Sequence, residues 1–173
     1  NKIKAVIREL STNAYDAHVE AGKPKVPFNV TMPDRFNPHF AIRDFGTGLS
    51  HEDCMNLYTT YFGSNKRNSN SLNGCLGLGS KSPFAYTNQF WVTAYKDGKK
   101  RNYVATVDTD GSRLDEYPEC DTDEADGFEV GFVVKEDDFA TFKSRATEVY
   151  KYFSTQPVVT GTDFEHEQPS EAK

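Results

Sequence analysis

Two stretches of helical periodicity bracket several runs of strand length and one further helix-capable segment, and that order limits the fold more than any other feature. Between Asn1 and Ala21, the residues Ile3, Val6, Ile7, Leu10, Ala14 and Ala17 recur with the period of a helix that has one apolar face. Gly22 and the Lys23-Pro24 pair end it, because glycine suits a C-cap and proline cannot continue the ladder. Val26 to Met32 and His39 to Asp44 have strand length, punctuated by Pro33 and Pro38. Ser50, with Asp53 three residues on, suits the start of a helix reaching about Phe62. Gln89 to Tyr95 and Lys100 to Val107 read as a hairpin joined through Asp97-Gly98, and Phe128 to Val134 as a further strand. Asp137 to Thr155 places Phe139, Phe142, Ala146, Val149, Tyr150 and Phe153 at helical spacing, with acids at its start and Pro157 beyond its end. The expectation is an α+β fold, a mostly antiparallel sheet with helices packed on one face.

Composition supports a folded chain. Of 173 residues, 36% are hydrophobic, and thirteen Phe and nine Tyr supply core material that disordered chains lack. No apolar run approaches the roughly 20 residues of a membrane-spanning helix. Cys54, Cys75 and Cys120 have neither metal-ligand nor CxxC spacing and read as reduced cytosolic thiols. A chain that begins at Asn1, with no Met and no signal-like segment, is expected to be a domain excised from a longer protein. The net charge of −6 is uneven: the run from Asp115 to Asp126 holds seven acids and no base, and without it the balance would be +1. Such a chain lacks the basic footprint of a duplex-DNA binder, so no nucleic-acid partner is expected.

Three constellations carry candidate chemistry. On the first helix, Asn13 lies about 40° and Asp16 about 20° from Glu9 around the axis, whereas Leu10, Ala14 and Ala17 lie on another face. Two carboxylates and an amide on one stripe suit a hard cation and an activated water. Taken alone, the ordinary reading is a solvated helix face. The second is Asp44-Phe-Gly46-Thr-Gly48 at a strand end, where glycines let a flat ligand approach and the acid can accept from an exocyclic amine. Alone, it reads as a strand-to-helix turn. The third runs from Gly74 through Gly77 and Gly79 to Ser80 and Lys81. Its G-x-x-G-x-G spacing reverses the dinucleotide fingerprint, and Ser80 intervenes where a P-loop needs lysine directly after glycine. A flexible segment remains, feeding a helix start whose free N–H groups favour phosphate. The polar stretch before it reads as a long functional loop.

In this order and spacing, the three motifs resemble the GHKL superfamily, which includes gyrase B, the large heat-shock chaperones, MutL and histidine kinases. The resemblance spans about Ile3 to Pro157. Closer still, Arg8 to His18, Arg43 to Ser50 and Gly77 to Tyr86 are similar to the phage rapid-lysis rIIA family. It implies a two-layer Bergerat fold over residues 1–157, with an ATP lid at about 63–79 and residues 158–173 as a tail or linker. By the same resemblance Glu9 is the general base, Asn13 the protein ligand of Mg²⁺, and Asp16 an acid lining the nucleotide site. Asp44 would accept from the adenine amine, with Gly46 and Gly48 seating the base. Gly74, Gly77 and Gly79 would fold the lid over the phosphates, with Ser80 and Lys81 beside them, and Asn56 and Lys66 would flank it.

The implied activity is binding of Mg-ATP with slow hydrolysis that drives lid closure and dimerisation. ADP as product, a nucleotide-dependent homodimer and a companion rIIB-like protein are the implied partners. The implied location is the host bacterial cytoplasm, with peripheral association at the inner membrane. The chain departs from the superfamily pattern at Gly127-Phe128, where a late-strand Gly-Thr pair is usual. Two alternatives stay open: a nucleotide-gated interaction module without useful turnover, and a histidine-kinase-like catalytic domain. Glu9 and Asp16 argue against the latter. Elsewhere the acidic run reads as a solvated loop, and Lys96, Lys99, Lys100 and Arg101 as solubilising. His18, His39, His51 and His166 form no spaced metal set and receive no role.

Overall fold

The first apolar stripe folds as helix α1, Lys2–Glu20, and both of its ends follow from the sequence. The Asn1 side chain caps the start, accepting from Ile3 N–H at 2.8 Å and Lys4 N–H at 3.3 Å. At the other end Gly22 has φ +76°, its N–H bonds the Val19 carbonyl, and Lys23 N–H bonds the His18 carbonyl. That pair of bonds is a Schellman motif, with glycine at the left-handed position. A computed structural model describes residues 1–48, 52 and 83–169. The helix expected from Ser50 to Phe62, Glu52 apart, the lid at 63–79 and the residues Asn56, Lys66, Gly74, Gly77, Gly79, Ser80 and Lys81 lie outside the described residues, as do Cys54, Cys75 and His51.

After α1 come strands β1 (Asn29–Thr31), β2 (His39–Asp44), β3 (Gln89–Lys96), β4 (Lys99–Asp108), β5 (Gly111–Glu116), β6 (Cys120–Asp121) and β7 (Gly127–Val133). Helix α2 (Phe139–Tyr150) and strand β8 (Val158–Thr160) complete the order. The result is mixed α/β, with one eight-stranded sheet ordered β5-β4-β3-β7-β2-β1-β8 and β6 pairing β4 beside β5. Among the described residues, every pairing is antiparallel except β1 with β8. The β3–β4 hairpin turns at Asp97 (φ +52°) and Gly98 (φ +78°), the backbone that a two-residue Asp-Gly loop demands.

Alternation along the strands builds the core. Phe40, Ile42, Phe90, Val92, Tyr103, Ala105, Leu114, Val130 and Phe132 are all buried, and the register pairs Phe40 with Phe132, Ile42 with Val130 and Val92 with Tyr103. Ile7 and Leu10 of α1 and Phe142, Ala146 and Tyr150 of α2 join the same buried cluster. Phe142 contacts Phe40 at 5.3 Å and Phe132 at 6.0 Å between ring centroids. The two helices are also tied by a buried hydrogen bond of 2.9 Å between the hydroxyls of Ser11 and Tyr150. Among the described residues, no helix is long and apolar enough to cross a membrane.

Three features differ from the sequence expectation. The acidic run is structured in part, in β5 and β6, and several of its carboxylates are paired. Arg101, 9% exposed, meets Glu116 at 3.2 Å and Glu119 at 2.9 Å, while Lys99 bonds Asp121 and Lys96 lies 3.6 Å from Asp126. Lys96, Lys99 and Arg101 are therefore partners of these acids, not only solubilising charges. Residues 158–160, expected to lie in a tail, pair with β1, and Phe164 and His166 pack on the Tyr150 ring. The last helix ends at Tyr150, short of Thr155.

Candidate functional site

Helix α1 presents three flanks, and the candidate residues occupy the one between core and solvent. Ile3, Val6, Ile7, Leu10, Ala14 and His18 face the interior. Glu9 and Asn13 are half-buried and Asp16 is exposed. Continuing the Glu9–Asn13 ridge by four residues reaches Ala17, the point where the second motif meets the helix. A Cβ placed on Gly46 would lie 3.0 Å from both the Cβ and the carbonyl oxygen of Ala17. The ridge that carries Glu9 and Asn13 thus runs into the turn that follows β2.

Asp44 ends β2 and is 8% exposed. Its Oδ1 accepts from Gly46 N–H at 3.0 Å, an Asx-type turn. Burial pushes its carboxyl above the usual range, and the Gly46 N–H and the neighbouring Arg43 charge oppose that shift without cancelling it. A buried acceptor in this condition favours a ligand that brings a hydrogen-bond donor. In the sheet register, Asp44 stands opposite Phe128 of β7.

The turn from Asp44 to Gly48 is fastened from several sides. Arg43 Nη1 donates to the Asp44 carbonyl and Nη2 to the Ala125 carbonyl, with the guanidinium 4.6 Å from the Phe45 ring centre and 4.0 Å from that of Tyr95. Phe45 N–H donates to His18 Nε2 at 2.8 Å, and Lys23 Nζ donates to the Phe45 carbonyl at 3.2 Å. Lys96 Nζ donates to the Thr47 carbonyl at 2.8 Å. Gly48 has φ +71°, and a Cβ there would come within 2.3 Å of the Tyr95 carbonyl oxygen, so no other residue fits without moving β3. What these glycines meet is protein, and their immediate effect is to seat the turn between α1 and the sheet.

The structure therefore brings Asp44 and Gly46 against the helix turn that follows Asn13, and it places Asp16 at the exposed margin. Sequence reading missed His18, Lys23, Arg43 and Lys96 as supports of this turn. Arg43 and His18 lay within quoted motifs, but nothing local distinguishes them from a strand arginine and a helix histidine. An open groove of about 410 Å³ lies along the other flank of α1, lined in part by Lys4, Arg8, Thr12, Glu148, Tyr152 and Phe153. None of the expected site residues lines it, and its Lys4–Glu148 pair, at 3.2 Å, is already matched in charge. Among the described residues, no three His, Cys, Asp or Glu side chains converge on one point as a metal cage would. No protein-family model matches the chain, and no curated protein matches it.

Proposed function

We propose that the chain is the nucleotide-binding domain of a GHKL-type ATPase similar to the phage rIIA family, with the two-layer Bergerat arrangement and a glycine-rich lid, and that it binds Mg-ATP. The observation that carries this reading is the buried Asp44 carboxyl. It sits at a strand end, against the helix turn that continues the ridge of Glu9 and Asn13. An acceptor raised by burial gains most from a neutral amine donor, which adenine presents and guanine replaces with a carbonyl. The turn is held by protein contacts on several sides, as a site that discriminates by a single amine requires.

The remaining roles follow the ridge away from the base. Asn13, one turn from Ala17, supplies an amide oxygen, and Glu9, a further turn along, supplies a carboxylate. An amide oxygen and a carboxylate on one stripe suit magnesium, which is commonly held by one or two protein oxygens, substrate phosphates and waters. When bound, the ion would spread the charge of the phosphates. Glu9 would orient a water and accept its proton, and Asp16 would border the opening. Phe128, opposite Asp44, offers no hydroxyl toward the nucleotide, which favours slow turnover. Asn56, Lys66, Gly74, Gly77, Gly79, Ser80 and Lys81 belong to this reading as lid and phosphate contacts. Lid closure, nucleotide-dependent dimerisation and a companion protein would be its outputs.

The test is a calorimetric titration of the chain with ATP, with and without Mg²⁺, and with GTP as control. Saturable binding that Mg²⁺ strengthens and that GTP does not reproduce is expected. Equal affinity for the two nucleotides, or no binding at all, would overturn the reading.

A further inference from the structure

We infer that His18 is a positioning residue for the base-recognising carboxylate, an inference that rests on the nucleotide reading above. The carbonyl of Asp44 and the N–H of Phe45 belong to the same amide, and both of its poles are held. Arg43 Nη1 donates to the carbonyl, and the N–H donates to His18 Nε2 at 2.8 Å. A plane held at both ends cannot rotate without breaking one of these bonds. The orientation of Asp44 at its Cα follows from that plane, and the Gly46 N–H bond to Oδ1 then sets the carboxyl itself.

The histidine is equally constrained. It is 1% exposed, and its Nδ1 stands 2.8 Å from the Val26 carbonyl oxygen. An amide N–H can only donate, so Nε2 must accept from Phe45 with its lone pair. The proton of the neutral ring is then on Nδ1, where the Val26 carbonyl accepts it. Phe28 and Phe45 close on the ring edgewise, with centroids at 6.4 and 6.1 Å. A continuous relay of donors and acceptors thus joins the segment after α1, the end of α1 itself and the residue that follows Asp44. A carboxylate that distinguishes one exocyclic amine must be held to within about 0.5 Å, and this relay supplies that hold.

Two substitutions separate the halves of the relay. His18→Gln puts an amide oxygen near the place of Nε2 and keeps an acceptor for Phe45 N–H. His18→Asn keeps a donor near Nδ1 for Val26 and loses that acceptor. Titration of both variants with ATP and with GTP, alongside thermal melts, should leave the preference for ATP within about threefold of wild type in His18→Gln. In His18→Asn it should fall about tenfold, the worth of one hydrogen bond. A purely structural histidine predicts lower melting temperatures for both variants with the preference of the folded protein unchanged, and that result would overturn the inference. A wild-type chain that binds no ATP would instead remove the nucleotide reading. The relay itself is tested apart from both by the imidazole ¹⁵N shifts of wild-type His18. An Nδ1–H tautomer is expected with and without ATP. A ring protonated on Nε2 would refute the positioning role even if neither variant folds.

Discussion

Replacing Asp44 by asparagine keeps the shape of the side chain and removes its charge, so binding and stability can be read from one variant. Asp44 is 8% exposed and its Oδ1 already receives the Gly46 N–H. A carboxylate has lone pairs to spare for a second donor. Asparagine offers one oxygen, already engaged, and an NH₂ that would face an adenine amine donor to donor. Leaving such buried groups unpaired costs about 1–3 kcal/mol, which is roughly 5- to 150-fold in Kd. Calorimetry should show ATP binding weakened by a factor in that range and GTP binding no weaker than in wild type. The stability arm depends on sign. The carboxyl is raised from its ordinary value of 3.8 chiefly by burial, so folding favours its protonated form. Its contribution to stability is therefore complete below that ordinary value and is lost as pH rises through the raised one. Asparagine has no such titration. In urea titrations, the stability of wild type minus that of the variant should fall as pH rises above that ordinary value, while wild-type ATP binding strengthens as the acceptor ionises. A stability difference that grows with pH would mean that partners hold the carboxylate charged. Undiminished ATP binding by the variant would remove Asp44 from base recognition.

Four other outcomes are expected. Glu9→Ala should leave ATP affinity unchanged and lower turnover by roughly 10²–10⁴; equal turnover would exclude Glu9 as the base. Ser11→Ala and Tyr150→Phe each strand a fully buried hydroxyl at a cost of about 1–3 kcal/mol, so the double variant should cost less than the two singles together. Strict additivity in a double-mutant cycle would refute the bond. Burial and the bond to Asp138 push the Tyr86 phenol up to about 12, so stability should be full below its ordinary pKa of 10.0 and decline as pH rises toward 12. Tyr86→Phe should lack that alkaline loss in paired melts. A Cβ on Gly131 would lie 2.2 Å from Trp91 Cζ2, so Gly131→Ala should displace the ring of the single tryptophan and cost about 1–3 kcal/mol. Unshifted tryptophan emission with unchanged stability would contradict the packing.

Local periodicity made much of the fold legible. The α1 stripe and its Gly22 stop, the Asp97-Gly98 hairpin and strands β2 and β7 all rest on signals contained within a few residues. What escaped has no such signal. Strand β5 buries Ser112 and Leu114, too few apolar positions to register as alternation. Strand β8 is three residues long and is a strand because β1, far earlier in the chain, is there to pair with it.

The candidate site divides in the same way. The helix stripe and the Asp-x-Gly-x-Gly turn are visible as patterns, because residue spacing alone sets which side chains share a helix face. The tertiary structure decided that Ala17 meets Gly46, that His18 takes the Phe45 amide 27 residues away, and that Arg43 reaches the Ala125 carbonyl 82 residues away. It also decided that Asp44 is buried, and burial is what raises its carboxyl and gives it chemistry to offer. Helix and turn formation draw on neighbours in sequence. Desolvation and cross-chain hydrogen bonds draw on whichever residues the packed sheet brings alongside.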